Sequence, residues 1–235
     1  MKHIRDDKGY NQIFSPSKAL AVRTERRCEY MIRKMNIKKN TKILEIGCGS
    51  GEISFLLAKK TNAEISGTDI CKPFIDEAKK KYQLPNLNFE VMDFISPESV
   101  MDKKFDYIVG NGVLHHLYFH LDNALKNIFS LLNEKGKMIF LEPNLLNPYC
   151  FAIFTFPYFR KLANLEPSEM AFTKKFITQK LKASAYSQIK VEYRDFLLPN
   201  IPKILIKPVI AAGSLLERIP ILRNASQSIF ISAEK

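Results

Sequence analysis

Three glycines fall within five residues in Leu44-Glu45-Ile46-Gly47-Cys48-Gly49-Ser50-Gly51. Glycines so spaced let the backbone approach a ligand closely, because a Cβ there would collide with it or forbid the required dihedrals. A dinucleotide fingerprint needs G-x-G-x-x-G, yet Glu52 stands three residues after Gly49 and the third glycine arrives one early. Glu45 would also set a carboxylate beside any phosphate and repel it. The loop therefore suits a cofactor that carries an amine or a cation. Further along, Asp69, Asp93 and Asn111 offer hydrogen-bonding side chains, and His115-His116 is the one adjacent histidine pair. An imidazole titrates near neutrality, so either histidine can serve as a general base. Glu142 and Asn144 are candidates for the acceptor side. Each has a plainer reading: a tight turn for the glycines, turn or cap roles for the acids, packing for the histidines, loop caps for Glu142 and Asn144.

Position decides between these readings. Lys42 to Ile46 reads as a strand, and Gly51 to Lys60 as a helix with Ile53, Leu56 and Leu57 on one face. Ala63 to Thr68, Asn88 to Met92, Phe105 to Gly110 and Gly136 to Leu141 read as further strands. Helices opened by Pro73, and lined by Leu121, Leu125, Ile128 and Leu132, alternate with them. Such alternation implies a parallel sheet covered on both faces. The glycines, Asp69, Asp93 and Asn111 then fall at the C-terminal ends of successive strands, where open α/β sheets bind ligands. After Pro143 come an aromatic stretch from Asn147 to Leu165, a helix from Thr173 to Tyr186 and a strand carrying Ile189, Val191 and Tyr193. A proline-punctuated apolar segment from Leu198 to Ile221 precedes a last strand, Ser228 to Ser232. One domain is expected: an N-terminal cap (1–40), a cofactor-binding core (41–145), and a lid with sheet-closing strands (146–235).

With those elements around it, Glu45-Ile-Gly47-Cys-Gly49-Ser-Gly51 resembles the first motif of the class I S-adenosylmethionine-dependent methyltransferases. The order of motifs from about Lys42 to Asn144 is similar to that family's. The resemblance implies a Rossmann-like seven-stranded, mostly parallel sheet with an antiparallel last strand, an N-terminal helical cap and an insertion after the fifth strand. It implies S-adenosylmethionine as cofactor and S-adenosylhomocysteine as product. Gly47, Cys48 and Gly49 would line the methionine part with Glu45 near its amino end, and Asp69 would take both ribose hydroxyls. Asp93, in Met92-Asp93-Phe94, would accept from the adenine amine, with Ile70 and Phe94 flanking the ring. Asn111 and Gly112 would sit beside the methyl-bearing sulfur. Apart from the resemblance, Tyr10 to Met35 reads as a lid helix with Cys28, Met31, Ile32 and Met35 facing inward, and Tyr10 would then close over the cofactor.

The 235 residues carry a net charge of +12. Residues 1–40 hold 11 basic against 4 acidic side chains, 41–145 hold 12 against 14 without one arginine, and 146–235 hold 13 against 6. A near-neutral core between basic flanks favours a small-molecule acceptor over nucleic acid. The Asn/Asp-Pro-Pro-Tyr motif of nucleobase amino-methyltransferases is absent, Asn111-Gly-Val-Leu standing in its place, and there is no Pro-Cys nucleophile. Transfer to oxygen is expected, on a small anionic or lipid-linked metabolite such as a glycan, polyketide or quinone precursor. The rivals are an RNA methyltransferase using the basic flanks, Arg23 to Lys34 and Arg160 to Lys190, and a cofactor-binding partner subunit without catalysis. Cys28, Cys48, Cys71 and Cys150 form no Cys-x-x-Cys pair, which disfavours disulfides and structural zinc, and no metal is expected. The start lacks an apolar leader, and proline or charge breaks each apolar stretch before the roughly 20 residues a bilayer span needs. A cytoplasmic protein is expected, with an apolar, basic lid able to rest on an anionic membrane surface.

Overall fold

The computed structural model of the protein describes residues 17–95 and 103–235. Tyr10 lies outside them. Seven strands, β1 (Lys42–Ile46), β2 (Glu64–Asp69), β3 (Leu87–Val91), β4 (Phe105–Asn111), β5 (Leu132–Pro143), β6 (Ser187–Arg194) and β7 (Ser228–Glu234), form one sheet in the order β3-β2-β1-β4-β5-β7-β6. β1 to β5 run parallel, and β7 runs antiparallel to both β5 and β6. The expected seven-stranded sheet with an antiparallel last strand is the one observed.

Helices α1 (Lys18–Ile32) and α2 (Glu52–Lys60) cover one face of this sheet, and α4 (Leu121–Leu131) with α7 (Lys174–Ala183) cover the other. α3 (Lys72–Lys81) packs beside β2 and β3. Both faces are covered, so the central strands are nearly continuous apolar runs, as in Lys42-Ile-Leu-Glu-Ile46. Successive side chains still alternate in direction. Ile43, Val109, Ile139 and Leu141 join the core under α1 and α2, while Leu44, Ile108, Met138 and Phe140 join the core under α4. This alternation aims the polar residues at the strand ends: Glu45 and Asn111 point toward α1 and α2, and Glu142 points the opposite way.

One strand differs from the sequence expectation, and two segments with no element expected from the sequence hold helices. β5 begins at Leu132 rather than Gly136, with a register shift against β4 between Phe105 and Tyr107 and Lys135 at φ 64°. The aromatic stretch folds into α5 (Pro148–Thr155) and α6 (Pro157–Leu162), each with proline in its first turn. The proline-punctuated segment contains α8 (Ile206–Leu216), whose Ile206, Val209 and Ile210 pack against Ala19 and Val22 of α1. Their spacing of three and four is helical, but proline on both sides masks it in the sequence.

Candidate functional site

The loop after β1 turns through left-handed backbone at Gly47, φ 64°, and Gly49, φ 52°. A Cβ on Gly47 would lie 2.5 Å from Val113 Cγ2, so the loop is seated against the turn after β4. A Cβ on Gly49 would meet nothing within 4 Å, which marks open space in front of the loop. The Gly49 amide donates to Asp69 Oδ2 at 2.9 Å, and the Cys71 amide donates to Asp69 Oδ1 at 2.9 Å. Asp69 thus joins the glycine loop to the end of β2. Gly47, Gly49, Asp69, Ile70, Asp93, Asn111 and Gly112 are all at least partly accessible at the C-terminal ends of β1 to β4. Asp93 is exposed and accepts from the Ile95 amide.

Other expected cofactor residues turn inward. Glu45 is 2% exposed and accepts a hydrogen bond from Ser54 Oγ of α2, so it does not face the cleft. Burial pushes its carboxyl up to about 7, against the hydrogen bond from Ser54 and with Glu52 and Asp69 adding to the rise. The Cys48 side chain packs with Ile75, Ala78 and Phe89, and burial raises its thiol far above the ordinary range. Met92 and Phe94 are buried in the core under α4. Gly51 caps α2 from a left-handed φ of 84° and is likewise buried.

Glu142 and Asn144 do not face an acceptor either; both are at most 1% exposed. Asn144 donates to the carbonyls of Asn224 and Ser226 at 2.8 and 2.7 Å, closing the chain's return toward β7. Glu142 accepts the amides of Val113, Leu114 and His115 at 3.1, 2.9 and 3.2 Å, holding the 3-10 turn Leu114–His120. It also sits 2.9 Å from His115 Nδ1. A carboxylate only accepts, so Nδ1 carries the proton and the neutral ring keeps its lone pair on Nε2. Burial, with His116 adding to it, pulls the His115 pKa below its ordinary value, and Glu142 only partly offsets this. A Cβ on Gly112 would lie 3.5 Å from His115 Cε1, placing the ring beside the end of β4.

His116 forms a second pair, its Nδ1 3.3 Å from Glu169 Oε1. Burial opposes protonation there, yet Glu169 outweighs it and the His116 pKa is raised. The two imidazoles lie 4.1 Å apart between centroids. Donor atoms of His115, His116 and Glu169 fall within 4.8 Å of one another.

A methyltransferase-domain family profile matches residues 37–190. The chain belongs to the class I S-adenosylmethionine-dependent methyltransferases. It is 31% identical over 184 residues to malonyl-[acyl-carrier protein] O-methyltransferase 1 of Ilyobacter polytropus, covering 74% of this chain and 63% of that one. It is 35% identical over 128 residues to the ubiquinone biosynthesis O-methyltransferase of Pelagibacter ubique, covering 52% and 51%. The match thus spans between about half and two thirds of these curated relatives. In fold it is similar to a SAM-dependent methyltransferase from Archaeoglobus fulgidus, with TM-score 0.64, 20% identity and coverage of 92% and 94%. The CurJ carbon methyltransferase superposes with TM-score 0.63 at 18% identity, covering 95% of this chain and 56% of that one.

The cofactor of this methyltransferase family fits the loop. The space before Gly49 would be filled by a Cβ, and the Asp69 carboxylate stands beside it, which suits a cofactor carrying ribose hydroxyls and positive charge.

Sequence reasoning missed a cluster on the α1 side of the methyltransferase's β4. Arg23 and Arg27 both donate to Asp195 Oδ2, at 2.8 and 2.9 Å. Arg27 also donates to Asn111 Oδ1 at 2.8 Å and Ser228 Oγ at 2.6 Å, and Arg23 to Gln227 Oε1 at 2.9 Å. Burial and the neighbouring Arg27 lower Arg23 to about 10 despite Asp195. The i, i+4 arginines share their helix face with Cys28 and Met31, and that was the available signal; Asp195, at φ 74° after β6, gave none.

Proposed function

We propose that this methyltransferase moves the methyl group of S-adenosylmethionine to an oxygen of a small, amphipathic acceptor, with His115 as the general base. The observation that carries the reading is the His115–Glu142 pair, which fixes the imidazole as a neutral ring with Nε2 able to take a proton beside Gly112. A hydroxyl or enol is a poor nucleophile until its proton leaves, whereas an amine attacks with its own lone pair. S-adenosylmethionine, when bound, would supply the electrophilic methyl carbon.

The chain's residues supply binding and orientation. Asp69 is proposed to accept both ribose hydroxyls beside the Gly49 and Cys71 amides that hold it in place. Asp93 and Ile70 are assigned to the adenine end, the Gly47–Gly49 backbone to the methionine part, and Asn111 with Gly112 to the reactive end. Arg27 holds the Asn111 amide by its oxygen and so orients it. His115 Nε2 receives the acceptor's proton, and Glu142 stabilises the imidazolium that results. The two O-methyltransferases to which the chain is similar support transfer to oxygen.

The test is product identification by mass and NMR after incubating the full chain with S-adenosylmethionine and panels of phenols and enols matched to amines. O-methyl products that fall sharply in His115→Gln support the reading. N-methyl products, or turnover indifferent to that substitution, overturn it.

A further inference from the structure

Among the described residues, fourteen of the sixteen exposed large apolar side chains lie between Leu146 and Leu222. Tyr158 is 74% exposed, Leu162 71%, Ile204 82% and Ile221 81%. Those of α5 and α6 are joined in space. Phe151, Phe156, Phe159 and Tyr158 form a chain of edge contacts with centroids 5.4 to 6.3 Å apart across α5 and α6. Asn147 at the start of α5 donates to the Ala225 carbonyl at 2.6 Å, which brings the Ile221–Leu222 turn to the same side. α8 uses Ile206, Val209 and Ile210 against α1 and turns Leu215 outward.

The charges on these segments are nearly of one sign. Residues 146–165 carry Arg160 and Lys161 and no acid; residues 198–223 carry Lys203, Lys207, Arg218 and Arg223 against Glu217. That carboxylate is already used by Arg194 at 2.8 Å and the Asp195 amide at 2.9 Å. Arg160 donates to the carbonyls of Phe154, Glu166 and Glu169, but Lys161, Lys203, Lys207, Arg218 and Arg223 are exposed on the same segments as the outward apolar side chains. This combination matches a lipid interface, where rings enter the headgroup region and cations meet anionic lipid. We propose that α5, α6, α8 and the Ile221–Leu222 turn form a docking face for an anionic bilayer surface. α5 links this face to the candidate site, because its inner Phe154 lies 6.1 Å, edge-on, from the His115 ring while Tyr149 and Phe151 point outward. A docked bilayer would therefore lie one helix away from the proposed base.

Vesicle flotation of the full chain tests this without turnover. Phosphatidylcholine vesicles with and without about one third phosphatidylglycerol are compared at low salt and at about 0.5 M salt. Binding to the anionic vesicles is expected to exceed binding to neutral ones at least tenfold and to weaken in salt. Tyr158→Ser/Leu162→Ser and, separately, Lys203→Glu/Lys207→Glu should each reduce it at least tenfold while thermal unfolding and S-adenosylhomocysteine titration stay unchanged. No flotation, equal binding to neutral vesicles, or binding indifferent to both double variants overturns the proposal. So does a dimer, detected by light scattering, that these substitutions dissociate in a chain that does not float.

Discussion

A histidine whose Nδ1–H is held by a carboxylate works as a base only while Nε2 is unprotonated. His115 titrates below its ordinary 6.5 because it is buried and faces His116, so the acidic limb of kcat should lie below pH 6.5 with activity flat above it. His115→Gln should lower kcat by roughly 10²–10⁴-fold and leave S-adenosylhomocysteine affinity within about twofold, read by calorimetry. An equal loss in His116→Gln would mean the pair acts as a unit. Glu45 behaves oppositely. Its folded value of about 7 lies above the ordinary 4.5 of an unfolded chain, so its contribution to stability is full below pH 4.5 and is lost as pH rises through 7. The loss amounts to about 3 kcal/mol. Glu45→Gln, which can still accept from Ser54, should match the parent in urea at pH 4.5 and be the more stable protein at pH 8. A parent curve that does not weaken over this range relative to the variant would show that Glu45 ionises freely in the fold.

At the level of elements, the glycine loop and the turn after β4 form one assembly, because Gly47 leaves no room beneath Val113. Gly47→Ala should weaken S-adenosylhomocysteine binding at least tenfold. Adding Val113→Ala should recover only part of it, since the contact is relieved while the left-handed φ remains strained. Full recovery would mean contact alone was at fault. The central parallel strands were legible because each holds a β-rich, largely apolar stretch that stops at a chemical marker, as with Ile46 before Gly47 or Leu141 before Glu142. The same markers misled at Glu45, Glu142 and Asn144. Sequence places a side chain at a strand end, but only the alternation of the pleat and the helix opposite decide whether it meets the cleft or the packed side. The arginine cluster was illegible for another reason: its acid is 168 residues from Arg27. Asp195→Asn should cost about 3 kcal/mol in urea unfolding, because two buried guanidiniums lose their counter-ion. A loss within about 0.5 kcal/mol would show that the amides and hydroxyls around them suffice.

Across the whole molecule, the sheet is unbroken from β3 to β6 and α1 crosses between its halves. α1 packs under β1 and β5 through Cys28 and Met31, meets α8 through Ala19, and reaches β4, β7 and Asp195 just after β6 through Arg27. Most of the core of 146–235 is shared with the sheet, since Ile177, Leu181 and Ile229 share a cluster with Leu44 and Ile108, while α5 adds a small cluster of Cys150, Phe154 and Ala171 beside it. The chain should therefore unfold in one step although its cofactor loop lies entirely before residue 52. S-adenosylhomocysteine at 100 times its Kd adds about 2.7 kcal/mol. For a domain of this size that raises the midpoint by roughly 5–10 °C. The shift should be the same by far-UV circular dichroism and by labelling of Cys150, which is buried in α5, far along the chain from the loop. If Cys150 became reactive at a temperature the ligand did not move, the lid would be a separate unit resting on the sheet, and docking of the apolar face could then open it without unfolding the core.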